Sequence, residues 1–295
     1  MRAILATERA VLRVTGEDAA KFLQGIVTNS VENLAPGTAV YTALLTPQGK
    51  IVVDFLAVAI APDEGGGFLL DAPAALAGDL AKKLGFYKLR ARVEIVPRPD
   101  LAVAIVLDKE PPADLGLVYP DPRHLGLGWR VVLPAEGAAA ALEGAGAKII
   151  GLEVWQGRRL SIGIPEGGKD FIYGDTFPHE ADMDLLGGVD FHKGCFIGQE
   201  VVSRVERRDV ARRRAVPVAF ADSAPEAGAE VKAGERALGY MGSAAGRLGM
   251  AMLRLDRADE ALKAGEKIVA GGVALTLVKP DWANFRFPGE VETVA

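Results

Sequence analysis

After Arg214 the pattern of the sequence changes, and this change restricts the possible folds more than any other feature. The residues beyond it form short strand-like runs separated by glycine-rich turns, at 216–220, 237–241, 249–255, 267–269 and 273–278. Short runs at this spacing are typical of a small antiparallel barrel or sandwich. We therefore predict a β domain over residues 211–295 that follows a first domain over residues 1–210.

The first domain mixes strand and helix patterns, which predicts an α+β body. Residues 40–46 and 51–60 read as two strands of a hairpin around a turn at residues 47–50. Further strands and helices are expected at residues 68–70, 74–84, 101–107, 138–142 and 153–160. At residues 197–207 the periodicity does not decide between helix and strand.

The start of the chain predicts a strand, a cap and a helix. Residues 10–14 alternate apolar and polar side chains, as a half-buried strand does. We expect Thr15 to cap the following helix, with Asp18 three residues later as its capping-box partner.

Composition excludes several classes of protein. The chain is 49% apolar and 25% charged with a net charge of −5, which fits neither disorder nor a wholly basic nucleic-acid binder. Its single cysteine, Cys195, excludes an internal disulfide framework and a four-thiolate site on one chain. No signal-peptide pattern and no apolar run of the roughly 20 residues that a spanning helix needs is found. We therefore expect a cytoplasmic protein of a reducing compartment with no membrane partner.

The most unusual segment surrounds the single cysteine. Gly194 and Gly198 bracket Cys195, and Lys193 lies two residues before it. A helix starting near residue 197 would place the thiol just before a helix N-terminus, and both the lysine and the helix favour a thiolate. Such a thiol suits a nucleophile, a transient metal ligand or a cofactor-facing group. The alternative is a small buried hydrophobe, which lone cysteines often are.

Residues 193–200, K-G-C-F-I-G-Q-E, resemble the K-G-C-[YF]-x-G-Q-E signature of the YgfZ family. These proteins are folate-binding relatives of the glycine-cleavage T-protein and include mitochondrial iron–sulfur assembly factors. Residues 22–29 are similar to the family's F-L-Q-G-x-x-T-N element, and residues 41–54 to its hairpin. Arg159, Leu160, residues 163–165, Pro178 and Glu180 resemble the segment that leads to the cysteine motif.

The resemblance implies a T-protein-like folate-binding α+β body followed by a C-terminal antiparallel β-barrel. It implies a tetrahydrofolate site that Asp54 and Tyr41 line, and a role in the maturation or repair of iron–sulfur proteins. The expected partners are iron–sulfur client or assembly proteins.

The resemblance also implies roles for the cysteine motif. Cys195 would act as a transient ligand or redox thiol, and Lys193 would tune its charge. The remaining motif residues would set the geometry or orient neighbouring groups; they are Gly194, Gly198, Gln199 and Glu200. One cysteine cannot hold a cluster, so we expect no metal to be held by this chain alone.

Two departures from the T-protein argue against aminomethyl transfer. Val53 precedes Asp54 where the T-protein has two adjacent aspartates, and Ser161 stands where it has a folate-binding glutamate. Whether the protein is an enzyme therefore stays open, and a folate-dependent one-carbon transferase or demethylase is one alternative. The other is a folate-linked RNA-modification factor that would read RNA through a run of arginines, at 204, 207, 208 and 212–214. It ranks last because the chain is acidic overall.

We assign no function to two weaker patterns. Residues 163–169 spell G-x4-G-K, but Asp170 stands where a phosphate loop needs Ser or Thr. His124, His179 and His192 lie far apart without zinc-ligand spacing, so we predict no zinc site.

Overall fold

The structure, a computed structural model, describes residues 1–208, 211–221 and 223–290, with backbone only at residue 208. Its strands are β1 (Arg2–Leu5), β2 (Arg9–Thr15), β3 (Ala39–Leu45), β4 (Ile51–Ala59), β5 (Phe68–Pro73), β6 (Glu94–Pro97), β7 (Leu101–Leu107), β8 (Leu117–Pro120), β9 (Trp129–Pro134), β10 (Lys148–Ile149), β11 (Arg213–Ala219), β12 (Glu230–Ala233), β13 (Arg236–Ala245), β14 (Leu248–Arg254), β15 (Ile268–Ala270) and β16 (Val273–Leu277). Its α-helices are α1 (Ala19–Gln24), α2 (Ala74–Lys88), α3 (Ala138–Gly144), α4 (Leu152–Ile162), α5 (Gln199–Arg208) and α6 (Leu255–Lys263).

The chain divides into two compact units. The first consists of Met1–Trp155 and Leu186–Val201, and the second of Gln156–Leu185 and the described residues from Val202 on. The domain boundary predicted at residue 210 lies outside the described residues and stays a prediction.

The first unit contains an antiparallel sheet of order β3-β4-β5-β2-β6, here called the first sheet. On one face, Phe55 and Leu70 pack with Phe22 of α1 and Leu80 of α2 in one hydrophobic core. The opposite face is also covered, which explains why β4 is almost continuously apolar. Asp54 is the exception in that strand, and a buried carboxylate requires polar partners.

A second sheet of order β10-β1-β7-β9-β8 lies in the same unit. Val131 and Leu133 pack with Leu142 of α3 on one of its faces. From the other face, Arg130 of β9 donates a hydrogen bond to Asp71 of β5 at 3.0 Å. The two sheets therefore face each other through polar as well as apolar side chains.

In the second unit, six antiparallel strands close into a barrel of order β11-β14-β13-β12-β15-β16. Val216, Leu238 and Leu253 form part of its core, and α6 adds Ala258 and Ala261. The predicted β domain is therefore a barrel rather than an open sandwich. Helix α6 and strand β12 were not predicted.

The predicted helix cap at the start of the chain is wrong. Thr15 is the last residue of β2, and Asp18 is the N-cap of α1 without a side-chain cap bond. The Asp18 carboxylate instead accepts the backbone N–H of Arg92 at 2.8 Å. A partner distant in sequence thus replaces the local capping bond.

Candidate functional site

Cys195 lies in a loop of residues 187–198, here called the cysteine loop, that ends at α5. The cysteine is exposed, so the alternative of a small buried hydrophobe is wrong. Residues 199–208 are helical, which settles the ambiguity left by the periodicity. The thiol lies four residues before the first residue of that helix.

Lys193 is buried, and its ammonium group is directed at the N-terminal segment of the chain. Nζ donates hydrogen bonds to the carbonyl oxygens of Val27 at 2.7 Å and Asn29 at 2.6 Å. Burial lowers the pKa of Lys193 to about 8, although the carboxylate of Asp190 opposes this shift. Among the described residues Lys193 forms no hydrogen bond or ion pair with Cys195. Lys193 is thus an anchor of the loop, and charge tuning of the thiol stays a prediction.

Thr28 and Asn29 fix the other end of the cysteine loop. The Thr28 hydroxyl donates to the carbonyl of Gly188 at 2.6 Å, and the Asn29 amide donates to that of Gly187 at 2.6 Å. The backbone N–H of Asp190 donates to the carbonyl of Thr28 at 3.1 Å. Sequence reasoning assigned these two residues no role, although they end the motif at residues 22–29 that resembles the family.

The tip of the β3–β4 hairpin packs on the C-terminal end of the cysteine loop. Gly198 has a φ of +80°, and a Cβ there would lie 2.6 Å from the carbonyl oxygen of Thr46. A Cβ on Gly49, at the hairpin tip, would lie 3.0 Å from Cβ of Val201. Three segments quoted for the family resemblance thus meet beside the exposed thiol.

The other motif residues differ in their surroundings. Gly194 does not have a positive φ, and a Cβ there would meet nothing within 4 Å, so no steric need for glycine exists. Gln199 is half-buried and Glu200 is exposed in the first turn of α5, where the helix dipole favours a carboxylate. Their orienting roles stay predictions.

Tyr41 and Asp54 are brought together on one face of the first sheet. Tyr41 lies opposite Leu56 and Ala43 opposite Asp54, so the two side chains are diagonal neighbours. The Tyr41 hydroxyl donates to Oδ2 of Asp54 at 3.0 Å, and both residues are buried. Burial, reinforced by the Asp54 carboxylate, raises the pKa of Tyr41 well above its ordinary value. Val53 points the other way, into the hydrophobic core, and offers no second carboxylate.

Sequence reasoning missed the charged residues around this pair. They form a buried charge cluster between the two sheets with Tyr41 and Asp54, and they are Arg9, Asp71, Asp121, Arg123 and Arg130. Arg130 donates to Asp71 and Asp121 at 3.0 Å each. Arg123 donates to both oxygens of Asp121, at 2.9 and 2.7 Å. Burial alone would raise the pKa of Asp121, but the two arginines hold it well below its usual range.

Aromatic side chains accompany the charge cluster. The Arg123 guanidinium lies 5.7 Å from the ring centroid of Tyr41 and 5.9 Å from that of Trp155. Within the described residues, the Tyr119 hydroxyl and Trp155 Nε1 are buried without a hydrogen-bond partner. Buried donors of this kind usually have a partner, so two polar positions here are suited to ligand atoms or water. No spacing in the sequence could have found these contacts, because Tyr41, Arg123 and Trp155 lie on segments far apart along the chain.

Two described members of the arginine run, Arg213 and Arg214, have acidic partners. In the second unit, Arg213 pairs with Glu180 at 2.9 Å, and Arg214 pairs with Asp182 at 2.9 Å and Asp184 at 2.7 Å. These two guanidinium groups are engaged in holding their own unit together. The run therefore offers less for RNA phosphates than its sequence indicated.

Within the described parts of the chain, one group of side chains could hold a metal by distance alone. Ligand atoms of His179, Asp184 and Glu206 lie within 4.8 Å of one another, although histidine spacing indicated no site. Arg214, however, donates to both oxygens of Asp184, at 3.0 and 2.7 Å. This carboxylate already has a cationic partner, and we assign no metal to the group.

The described helices were also compared with the length and hydropathy that a membrane span requires. None of them meets both requirements.

Comparison with known proteins gives two family matches. Residues 6–81 match the GCVT N-terminal domain, and residues 212–285 match the CAF17 C-terminal β-barrel domain. The human mitochondrial iron–sulfur cluster assembly factor IBA57 is 32% identical over 301 residues, covering 93% of this chain and 83% of the relative. The mouse protein of the same name is 32% identical with the same coverage.

Among solved structures, the glycine cleavage system aminomethyltransferase T from Bartonella henselae is similar with a TM-score of 0.76. The alignment covers 97% of this chain and 87% of the Bartonella chain, with 19% sequence identity. At this identity the similarity shows the fold alone. The predicted T-protein-like fold with a C-terminal barrel is thus confirmed. The predicted cytoplasmic location is wrong, because the curated relatives are named as mitochondrial proteins. One unpaired cysteine indicates a reducing compartment but does not say which one.

Proposed function

Since the chain belongs to the family of iron–sulfur cluster assembly factors that includes human IBA57, we propose that it acts in the maturation or repair of iron–sulfur proteins. The observation that carries this proposal is the relatedness over nearly the whole chain, together with an exposed thiol in a loop that two other segments hold in place. Its partners are then iron–sulfur client or assembly proteins.

The chemistry of Cys195 in this proposal is that of one thiolate donor. Iron–sulfur clusters are held by several thiolates, and this chain has a single cysteine. A cluster at Cys195 is therefore shared with thiols of a partner protein or a small molecule, and it is cargo rather than a resident cofactor. The anchors at Lys193, Thr28 and Asn29 keep the loop in place while the thiol stays accessible.

Within this family we assign the chain to the YgfZ-type members that bind tetrahydrofolate. The charge cluster fits such a ligand by its donor set. Asp54 offers a carboxylate to ring N–H groups, and Tyr41 and Trp155 offer aromatic faces. The unpartnered buried polar atoms of Tyr119 and Trp155 support a polar ligand there. When bound, tetrahydrofolate supplies a carrier for one-carbon units.

The maturation proposal is tested in cells that lack their own factor of this type, with the activity of an iron–sulfur client enzyme as readout. Wild-type chain should restore the activity, and Cys195→Ser should restore at most about a tenth of it, because serine is a poor cluster ligand. Thr7→Ala, an exposed change of similar size in the same unit, is the control. Full restoration by Cys195→Ser at equal abundance would contradict the role of the thiol.

The folate proposal is tested separately by calorimetry with tetrahydrofolate. Asp54→Asn should weaken binding roughly tenfold, since it removes a charged acceptor but leaves an oxygen for the Tyr41 hydroxyl. Asp114→Asn, at an exposed position, and Cys195→Ala should bind like wild type. Absence of binding by the wild-type chain would refute the folate proposal and leave the maturation assay to be judged by itself.

A further inference from the structure

The C-terminal end of α2 exposes two large apolar side chains. Phe86 is 77% exposed and Leu89, directly after the helix, is 88% exposed. Earlier in the helix, Leu80 and Leu84 are buried in the core of the first sheet. The buried face of α2 thus already packs against the sheet, and Phe86 and Leu89 are not part of that packing.

The backbone at Leu89 is unusual in the same place. Leu89 has a φ of +46°, a conformation that residues with a Cβ rarely adopt. Strained backbone of this kind is often found at functional positions, where the surroundings maintain it. At Leu89 this conformation follows the last residue of α2 and leaves the leucine side chain exposed.

Cations lie within four residues of these apolar side chains along the chain. Lys82, Lys83 and Arg90 are exposed, and Lys88 is half-buried. Asp79 pairs with Lys82 at 3.5 Å. Within the described residues Lys83, Lys88 and Arg90 have no ion pair, although the chain as a whole carries a net charge of −5. This surface, here called the α2 tip, therefore combines exposed apolar side chains with positively charged ones.

We propose that the α2 tip binds the surface of an anionic phospholipid membrane. Protruding Phe and Leu beside lysines fit an interface of headgroups and acyl chains, which yields to side chains without a preformed cavity. The unpaired cations complement anionic headgroups, and each adds to the attraction near the surface. The sequence predicted no membrane partner because no apolar run is long enough to span a bilayer. Binding at the membrane surface does not require such a run. The inference is independent of the proposed function.

Cosedimentation of the full chain with vesicles tests it. The probes are vesicles of phosphatidylcholine alone and vesicles with about 30% phosphatidylglycerol, at low and high salt. Wild type should bind the anionic vesicles, and high salt should weaken the binding because it screens the headgroup charge. Phe86→Ser with Leu89→Ser should lower the affinity roughly tenfold or more, since two apolar groups no longer insert. Lys83→Gln with Lys88→Gln should reduce binding to anionic vesicles as well.

Leu125→Ser is the matched control, because Leu125 is 82% exposed elsewhere in the same unit. It should bind like wild type. No binding of the wild-type chain to anionic vesicles would overturn the proposal, as would equal loss in the control. Loss of client maturation in the double serine variant without any vesicle binding by wild type would point to an acidic protein partner instead.

Discussion

Replacing Gly198 with alanine perturbs the contact between the cysteine loop and the hairpin tip. Gly198 has a φ of +80°, and an added Cβ would lie 2.6 Å from the carbonyl oxygen of Thr46 and 3.0 Å from Cα of Gly49. Both neighbours are backbone atoms, so neither can move away by changing a rotamer. The hairpin, the loop or both must shift.

The size of the effect follows from two contributions. A residue with a Cβ held at positive φ costs about 1–3 kcal/mol, and overpacking of a close contact costs about 1–3 kcal/mol. The smaller freedom of the unfolded alanine chain offsets about 0.4–1 kcal/mol. We expect a net loss of about 3 kcal/mol in the free energy of unfolding, which lowers Tm by roughly 6–12 °C in a unit of this size.

Gly194→Ala is the matched control within the same motif, because its φ is not positive and its Cβ would meet nothing within 4 Å. It should stay within about 0.5 kcal/mol of wild type. Urea unfolding measures both variants, and hydrogen exchange of residues 193–200 shows whether the loss is local. A Gly198→Ala variant as stable as wild type, or a Gly194→Ala variant equally destabilised, would refute the reasoning.

Substitutions at three other features give further predictions. Arg130→Met should lose about 3–5 kcal/mol because it breaks buried ion pairs, whereas Arg2→Met, in an exposed pair, should lose at most about 1 kcal/mol in the same unfolding assay. Leu89→Gly should gain about 1 kcal/mol by relieving the positive φ; a lower Tm would contradict this. Lys193 has a pKa of about 8 in the fold and about 10.4 when unfolded, so the penalty of burying its ammonium disappears as pH rises through that range. The free energy of unfolding of wild type should therefore rise relative to that of Lys193→Met between pH 7.5 and 9.5. A difference between the two that stays constant with pH would refute this prediction.

Elements with a strong local pattern were predicted well. The hairpin strands, expected at 40–46 and 51–60, are found at Ala39–Leu45 and Ile51–Ala59. The strand at 101–107 has the predicted bounds. These segments are short apolar runs, and their length, their β-branched residues and the turn residues around them identify them as strands. The predicted cap at Thr15 with Asp18 as its partner is wrong, because Thr15 belongs to β2 and the Asp18 carboxylate accepts from a residue 74 positions away.

The candidate site was predicted in part. The motif at residues 193–200 and the pair of Tyr41 and Asp54 could be chosen from the sequence through the family resemblance. The partners of these residues could not, because Arg123 contacts the Tyr41 ring from the loop after β8 and Arg130 binds Asp71 from another sheet. Periodicity describes neighbours along one element and contains no information on which elements face each other.

The sequence by itself determined most of the element types, a β-rich C-terminal region and the single thiol, since these depend on composition and local spacing. Only the tertiary structure decided that Lys193 is directed at the carbonyls of Val27 and Asn29 rather than paired with Cys195. It also decided that a buried cluster of charges surrounds Asp54. A buried charge must find its partners wherever the fold brings them, and those partners are set by the packing of distant segments.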